Sequence, residues 1–320
     1  MFDSFVIFGG CGFIGSHMQR LLREKYPEAK VYVADLLADG SEMYQKVDVR
    51  EPIEMQGSFG KNTLVLNFAA IHRTPGHPDH AYFETNIRGA ENVCNFARKH
   101  GIENIVFTSS IAPYGAAEEL KTEETLPTPN TPYGISKLVA EKIHREWVAE
   151  NPNRRLSIVR PGIVFGKGEN GNMTRLYKGL KDRKFAYAGR KDTIKACIYV
   201  KDLVRVMLAM AENDGADKIQ LYNCCYYPSY TIEQIANTML KAVGMKRHIP
   251  YIPKKPMMAA ATVCGMLGGL GLGICPARVK KLMVSTNIDG AKLSRDYPLK
   301  FTLEEAFADW WNDCDQKELV

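Results

Sequence analysis

Phe5-Val6-Ile7-Phe8-Gly9-Gly10-Cys11-Gly12-Phe13-Ile14-Gly15 decides the fold. Four consecutive apolar residues read as a buried strand, the glycines as a turn, and Ser16 to Lys25 as a helix. Glycines at 9, 12 and 15 permit a tight turn, close approach of backbone N–H groups to a pyrophosphate, and close packing of helix on sheet, with the helix N-terminus facing the phosphates. The next strand supports this reading. Val31-Tyr32-Val33-Ala34-Asp35 is a second buried run, and it ends in a carboxylate twenty residues past Gly15. Asp35 is placed there to accept from an adenosine ribose hydroxyl and to repel a 2′-phosphate, which favours NAD over NADP.

Further along, Thr63-Leu64-Val65-Leu66-Asn67-Phe68-Ala69-Ala70 is a buried strand whose small terminal residues let a dinucleotide pass. Helical patterning from Ala81 to Lys99 leads to the strand Asn104-Ile105-Val106-Phe107-Thr108-Ser109-Ser110, a Pro/Thr-rich loop from Thr125, a helix behind Pro132, and a strand from Arg155 to Val159. Strands alternating with helices in this way imply a doubly wound parallel sheet, an α/β fold with ligands at the carboxyl ends of its strands. Domain boundaries follow from where the alternation stops. A dinucleotide-binding domain is expected over 1–166, with returning segments near 195–225 that include Cys197–Val200, and a smaller, mostly helical substrate lobe over 167–194 and 226–320.

Tyr133-Gly134-Ile135-Ser136-Lys137 places a phenol and an ammonium at i and i+4, on one helix face, where the cation favours the phenolate. Tyr133 is then a candidate proton acceptor, and Ser110, at a strand end, a candidate partner. Asp48 reads either as a contact to the adenine amine or as an ordinary turn carboxylate. His72 and Arg73 read either as the substrate side of the cofactor pocket or as a surface loop.

The composition sets outer limits. The chain has 320 residues, 45% hydrophobic, with a formal charge of +6 and no Lys/Arg run long enough to track a nucleic acid. Eight cysteines show no C-x-x-C pair and are expected to be reduced, without structural zinc. The N-terminus runs straight into a strand without a basic leader, so a cytoplasmic protein is expected.

Taken together, the glycine turn, Ser109-Ser110-Ile111-Ala112-Pro113-Tyr114-Gly115 and Tyr133-x-x-x-Lys137 resemble the extended short-chain dehydrogenase/reductases, in their sugar epimerase/dehydratase branch. Asn67-Phe68-Ala69-Ala70, Asn86-Ile87-Arg88-Gly89, Arg160-Pro161 and Tyr199-Val200-x-Asp202 extend the match over essentially the whole chain. Within the branch, the detail of His72-Arg73, Gly171-Asn172-Met173 and Lys195 is most similar to bacterial epimerases that interconvert N-acetylglucosamine and N-acetylgalactosamine on an undecaprenyl diphosphate carrier.

The resemblance implies a Rossmann-type fold and NAD held by Gly9, Gly12, Phe13, Ile14, Gly15, Asp35, Asp48, Val49, Ala69, Tyr133 and Lys137. It implies Tyr133 as general base, Ser110 hydrogen-bonding the same sugar oxygen, and Lys137 holding the nicotinamide ribose while lowering the tyrosine pKa. His72, Arg73, Asn172 and Lys195 fall on the substrate side, Lys195 where many relatives carry a diphosphate-clamping arginine. A dehydratase would need an Asp-Glu pair where this chain has Ile111-Ala112.

The reading is therefore a sugar 4-epimerase acting on a diphosphate-linked hexose or N-acetylhexosamine. A 4-keto-sugar reductase and a non-catalytic dinucleotide sensor are the alternatives. The partners expected are that substrate, a second copy in a homodimer, and a peripheral membrane contact at the inner face of the cytoplasmic membrane. That contact is placed at Met257 to Ile274, where Thr262 is the only polar side chain and lysines and arginines flank both ends. The other reading of this segment is a helix and loop buried against the second lobe.

Overall fold

The computed structural model describes residues 2–72, 76–115, 117–256 and 283–320. The chain begins with β1 (Ser4–Phe8), α1 (Phe13–Lys25), β2 (Lys30–Asp35), β3 (Tyr44–Lys46), β4 (Thr63–Asn67), α2 (Asp79–Lys99) and β5 (Asn104–Thr108). A 3₁₀ turn at Ala112–Tyr114 then precedes β6 (Ala117–Lys121), α3 (Pro132–Ala149), β7 (Arg155–Pro161), β8 (Ile163–Phe165), α4 (Asn172–Lys181), β9 (Tyr187–Ala188) and β10 (Cys197–Tyr199). After these come α5 (Val200–Glu212), β11 (Ile219–Cys224), α6 (Ile232–Ala242), β12 (Tyr251–Ile252), β13 (Thr286–Ile288) and helices at Ala291–Asp296 and Leu303–Asp313. Two compact units share them. One takes Met1–Gly115, Glu123–Pro161 and Val200–Cys224; the other takes Ala116–Thr122, Gly162–Tyr199 and Cys225–Val320.

The first unit is built on a seven-stranded sheet in the order β11-β7-β5-β4-β1-β2-β3, every pairing parallel. β1 and β4 are buried along their whole length, which is why they read as unbroken apolar runs: a parallel sheet has helices on both faces and no wet side. Phe8 lies opposite Ala34 on one side and Asn67 on the other. Strand order reverses between β1 and β4, so the ends of β1, β2, β4 and β5 open on a common crevice.

α3 delivers its side chains to that crevice because its start is fixed by sequence. Thr131 accepts from the Gly134 N–H, and Pro132 occupies the first turn, where its missing N–H costs nothing.

One expected strand goes elsewhere. Cys197–Tyr199 does not rejoin the main sheet but pairs in parallel with β8 as β10. A short buried apolar run identifies a strand without naming its partner, and here Gly162 sets the pairing. A Cβ at that position would stand 2.5 Å from the Ala196 carbonyl oxygen, and the next residue, Ile163, donates its N–H to the same oxygen. Only α5 and β11 of the returning segment belong to the first unit.

The second unit carries the pairs β8–β10, β9–β12 and β6–β13 around an aromatic cluster of Phe165, Tyr199, Phe307 and Trp310. Its helices α6 and Leu303–Asp313 both start in capping boxes, Thr231 with Gln234 and Thr302 with Glu305. Met257 to Ile274 lies outside the described residues. Among those described, no helix is long and apolar enough to cross a membrane.

Candidate active site

The turn after β1 is shaped to leave backbone open. Gly9 has φ 77°, and a Cβ there would meet the Ala69 nitrogen at 2.8 Å; a Cβ on Gly15 would meet the Gly10 carbonyl oxygen at 2.5 Å. So Gly9 and Gly15 are required by the chain's own close packing, before any ligand is considered. Gly12 is the N-cap of α1 and supplies no side-chain cap, which leaves first-turn N–H groups, those of Phe13 and Ile14 included, available to an anion. Asp35 closes the cradle. Its carboxylate accepts from the Cys11 N–H at 3.0 Å and from the Leu37 N–H at 3.1 Å, which fixes it against the glycine turn with lone pairs to spare for ribose hydroxyls. The open helix N-terminus and the anchored carboxylate fit a dinucleotide.

Ser110, Tyr133 and Lys137 come together in the first unit. Ser110 comes close enough to Tyr133 to pull its pKa down, and its Oγ accepts from the Ala112 N–H at 3.1 Å, which holds the hydroxyl in place. Lys137 is buried, with Nζ 4.4 Å from the centre of the Phe107 ring. Tyr82 lies beside the Tyr133 ring, centroids 6.2 Å apart.

The electrostatics correct one expectation. Burial raises the Tyr133 pKa, the Ser110 hydroxyl pulls the other way, and Tyr82 adds to the rise. The Lys137 ammonium does not set the balance because it is itself desolvated. Burial lowers its pKa to about 7, opposed by the charge of Glu141.

The remaining sequence candidates fall in both units. Asp48 accepts from Arg50 Nε at 2.9 Å and from Nη2 at 2.6 Å, and its pKa is lowered by that pair. Val49 is buried against Gly89. His72 is exposed, and Arg73 lies outside the described residues. Asn172 is exposed at the first position of α4, its Oδ1 accepting from Arg175 at 3.0 Å. Lys195 donates from Nζ to the Val284 carbonyl at 2.7 Å. Asn172 and Lys195 both belong to the second unit.

Two further features support these residues. Asn86 accepts from the Ile71 N–H and donates to the Ser136 hydroxyl at 2.9 Å, tying the loop after β4 to α3. Behind Lys137, Glu141 gathers Ser109 and Arg160. The sequence signal for Glu141 was its spacing, four residues past Lys137 on the same face of a helix whose other residues there are buried.

Comparison with known proteins agrees with this geometry. A model of the NAD dependent epimerase/dehydratase family matches residues 5–225. The chain is 30% identical to the N-acetyl-alpha-D-glucosaminyl-diphospho-ditrans,octacis-undecaprenol 4-epimerase of Escherichia coli O157:H7, over 95% of this chain and 93% of the relative. In fold it is similar to the UDP-Glc/GlcNAc 4-epimerase of Campylobacter jejuni, with TM-score 0.72 and 19% identity over 98% of this chain and 100% of that one. It is similar also to the UDP-glucuronic acid 4-epimerase of Bacillus cereus in complex with NAD, with TM-score 0.72 and 18% identity over 98% and 96% of the two chains.

Proposed function

Because this chain belongs to the NAD dependent epimerase/dehydratase family, we propose that it is an NAD-dependent sugar 4-epimerase whose substrate is a hexose or N-acetylhexosamine on a diphosphate carrier, polyprenyl diphosphate or UDP. The observation that carries the reading is the placement of Ser110 beside Tyr133 at the carboxyl edge of the sheet, with Lys137 buried one helical turn behind Tyr133.

In this reading Tyr133 takes the proton of the sugar 4-hydroxyl and later returns it, and Ser110 hydrogen-bonds the same oxygen and keeps it in line. NAD supplies a hydride acceptor that gives the hydride back, together with positive charge in a buried site. Lys137 holds the ribose beside Tyr133. Neither Ile111 nor Ala112 can protonate a leaving hydroxyl, so the sugar keeps its oxygens. Lys195 and Asn172 are assigned to the diphosphate and sugar, and His72 and Arg73 to the substrate side of the cofactor. Lys195 brings a point charge and no bidentate fork, which relaxes selectivity for a nucleotide carrier.

The test is to supply the purified protein with UDP-N-acetylglucosamine and with its polyprenyl-diphosphate counterpart, without reductant. Formation of the C4 epimer supports the reading. A requirement for added NADPH would instead make the chain a 4-keto-sugar reductase.

Two extensions of the reading concern assembly: a homodimer, and a peripheral membrane contact through 257–274. Salt-sensitive co-sedimentation with anionic vesicles tests the contact, and a protein that stays in the supernatant at low salt lacks it. The mass of the native particle tests the dimer, and a monomer rules it out.

A further inference from the structure

Tyr133, Lys137, Glu141 and His144 follow one another along a single face of α3. The residues behind the catalytic pair are as buried as a core: Lys137 and Glu141 are 2% exposed, Ser109 2% and Arg160 3%. Glu141 joins three elements. Its Oε1 accepts from Ser109 Oγ on the chain leaving β5 and from Arg160 Nε on β7 at 2.9 Å; its Oε2 accepts from Arg160 Nη2 at 2.6 Å.

The strand end is fixed along β7 by backbone as well, with the Ser109 N–H on the Val159 carbonyl and the Ile111 N–H on the Pro161 carbonyl. Arg160 in turn lies 4.7 Å from the Tyr114 ring, and the Tyr114 hydroxyl donates to Asn223. Ser110 hangs from this clamp by one peptide bond, and Tyr133 and Lys137 stand on the helix that Glu141 belongs to. An ion pair this deep contributes little net stability, since apolar side chains of similar volume would hold the fold as well. What it specifies is distance and charge.

We propose that Glu141 is a positioning residue for the reaction, keeping Tyr133 and Lys137 in register with Ser110 and presenting its negative charge to the Lys137 ammonium. The inference rests on the roles given above to Ser110, Tyr133 and Lys137. The titratable and charged groups around Lys137 and Glu141 are Tyr133 and His144 on α3, Arg160 on β7, Tyr114 on the 3₁₀ turn and Tyr82 on α2. His144 stays neutral, its pKa lowered to about 4 by burial, so Glu141 supplies the negative charge in this group. It also fixes the role of Ser109, whose hydroxyl is committed to Glu141 and is not the one offered to a substrate.

The test uses the holoenzyme and whichever diphosphate-linked sugar the wild type epimerises; a wild type that epimerises none defeats the functional reading first, independently of this inference. Glu141→Gln keeps shape and removes charge. It is expected to lower kcat about 10²-fold, the scale of a small misplacement at a reacting centre, with KM little changed. The alkaline limb of its kcat/KM profile should move to lower pH, because Lys137 loses the charge that holds its proton. Ser109→Ala, which keeps the charge, should lower kcat several-fold without moving that limb.

The double variant Glu141→Gln/Arg160→Met removes the buried charge left over. It should recover the melting temperature of the cofactor-free protein but recover neither kcat nor the pH limb. Wild-type kcat and pH profile in Glu141→Gln, or recovery of both in the double variant, would reduce the pair to a structural one and overturn the proposal. If Glu141→Gln does not fold, an unchanged kcat in Ser109→Ala overturns it.

Discussion

Replacing Gly15 by alanine puts a methyl carbon 2.5 Å from the Gly10 carbonyl oxygen, 2.6 Å from the Gly10 Cα and 2.6 Å from the Gly9 carbonyl oxygen. All three are backbone atoms of the turn, and no rotamer change relieves the clash. Ordinary contact begins at 3.4 Å, so the start of α1 must move by roughly 0.9 Å from the turn, a shift large enough to cost on the order of 10²-fold at a site that works by alignment. Overpacking of this kind costs about 1–3 kcal/mol, and each kcal/mol lowers Tm by about 2–4 °C in a domain of this size. The same movement carries the Phe13 and Ile14 N–H groups away from where a pyrophosphate would bind.

Gly60→Ala is the matched control, because nothing lies within 4 Å of its added Cβ. Thermal melts of the cofactor-free proteins and the NAD retained through gel filtration decide the matter. Gly15→Ala should melt several degrees below Gly60→Ala and retain little NAD. If the two melt within about a degree and both retain NAD, the account of the glycine turn is refuted.

Tyr133→Phe should abolish turnover, by about 10²–10⁴-fold, with NAD binding kept; a steady-state rate above a tenth of wild type removes Tyr133 from the chemistry. Asp35→Ala should narrow a preference for NAD over NADP, measured by titration of both, and equal binding by the wild type would undo the assignment of Asp35. His144 is buried neutral with its pKa lowered to about 4, below the roughly 6.5 of an unfolded chain. The unfolded state therefore binds more protons between those values, and stability falls as pH falls, by about 2 kcal/mol from this group between pH 7 and 5. His144→Phe should flatten that slope in urea melts, and an unaltered slope would show that His144 is not its source.

Much of the site was legible because its chemistry depends on residue type at fixed spacing. The glycine turn had to be glycine, since Cβ atoms at 9 and 15 collide with backbone, and Asp35 had to end the second strand. Tyr133 and Lys137 were recognisable by the helix period. Ser110 was singled out by its place at a strand end and by resemblance, and the structure shows how it differs from its neighbour: Ser109 turns inward to Glu141, while Ser110 Oγ accepts from the Ala112 N–H.

The balance of charge was not legible. An ammonium four residues from a phenol lowers its pKa in water, but Lys137 lies against Phe107, and desolvation lowers its own pKa to about 7. Pairings between distant segments were hidden for a similar reason. Arg160 meets Glu141, and Cys197–Tyr199 meets Ile163–Phe165, through sheet geometry that no local pattern records. Asp48 shows the reverse case, a carboxylate paired with a neighbour only two residues on, Arg50.

The most direct test of the account follows one atom. A diphosphate-linked N-acetylhexosamine bearing deuterium at C4 is incubated with the holoenzyme, and the epimer is examined by mass spectrometry. If the hydride leaves C4 and returns to the opposite face of the same carbon, the product keeps its deuterium in full, with none in the solvent and none in cofactor added to the medium. Loss of the label to water, or its transfer to external cofactor, would contradict an NAD-dependent 4-epimerase built on Ser110, Tyr133 and Lys137.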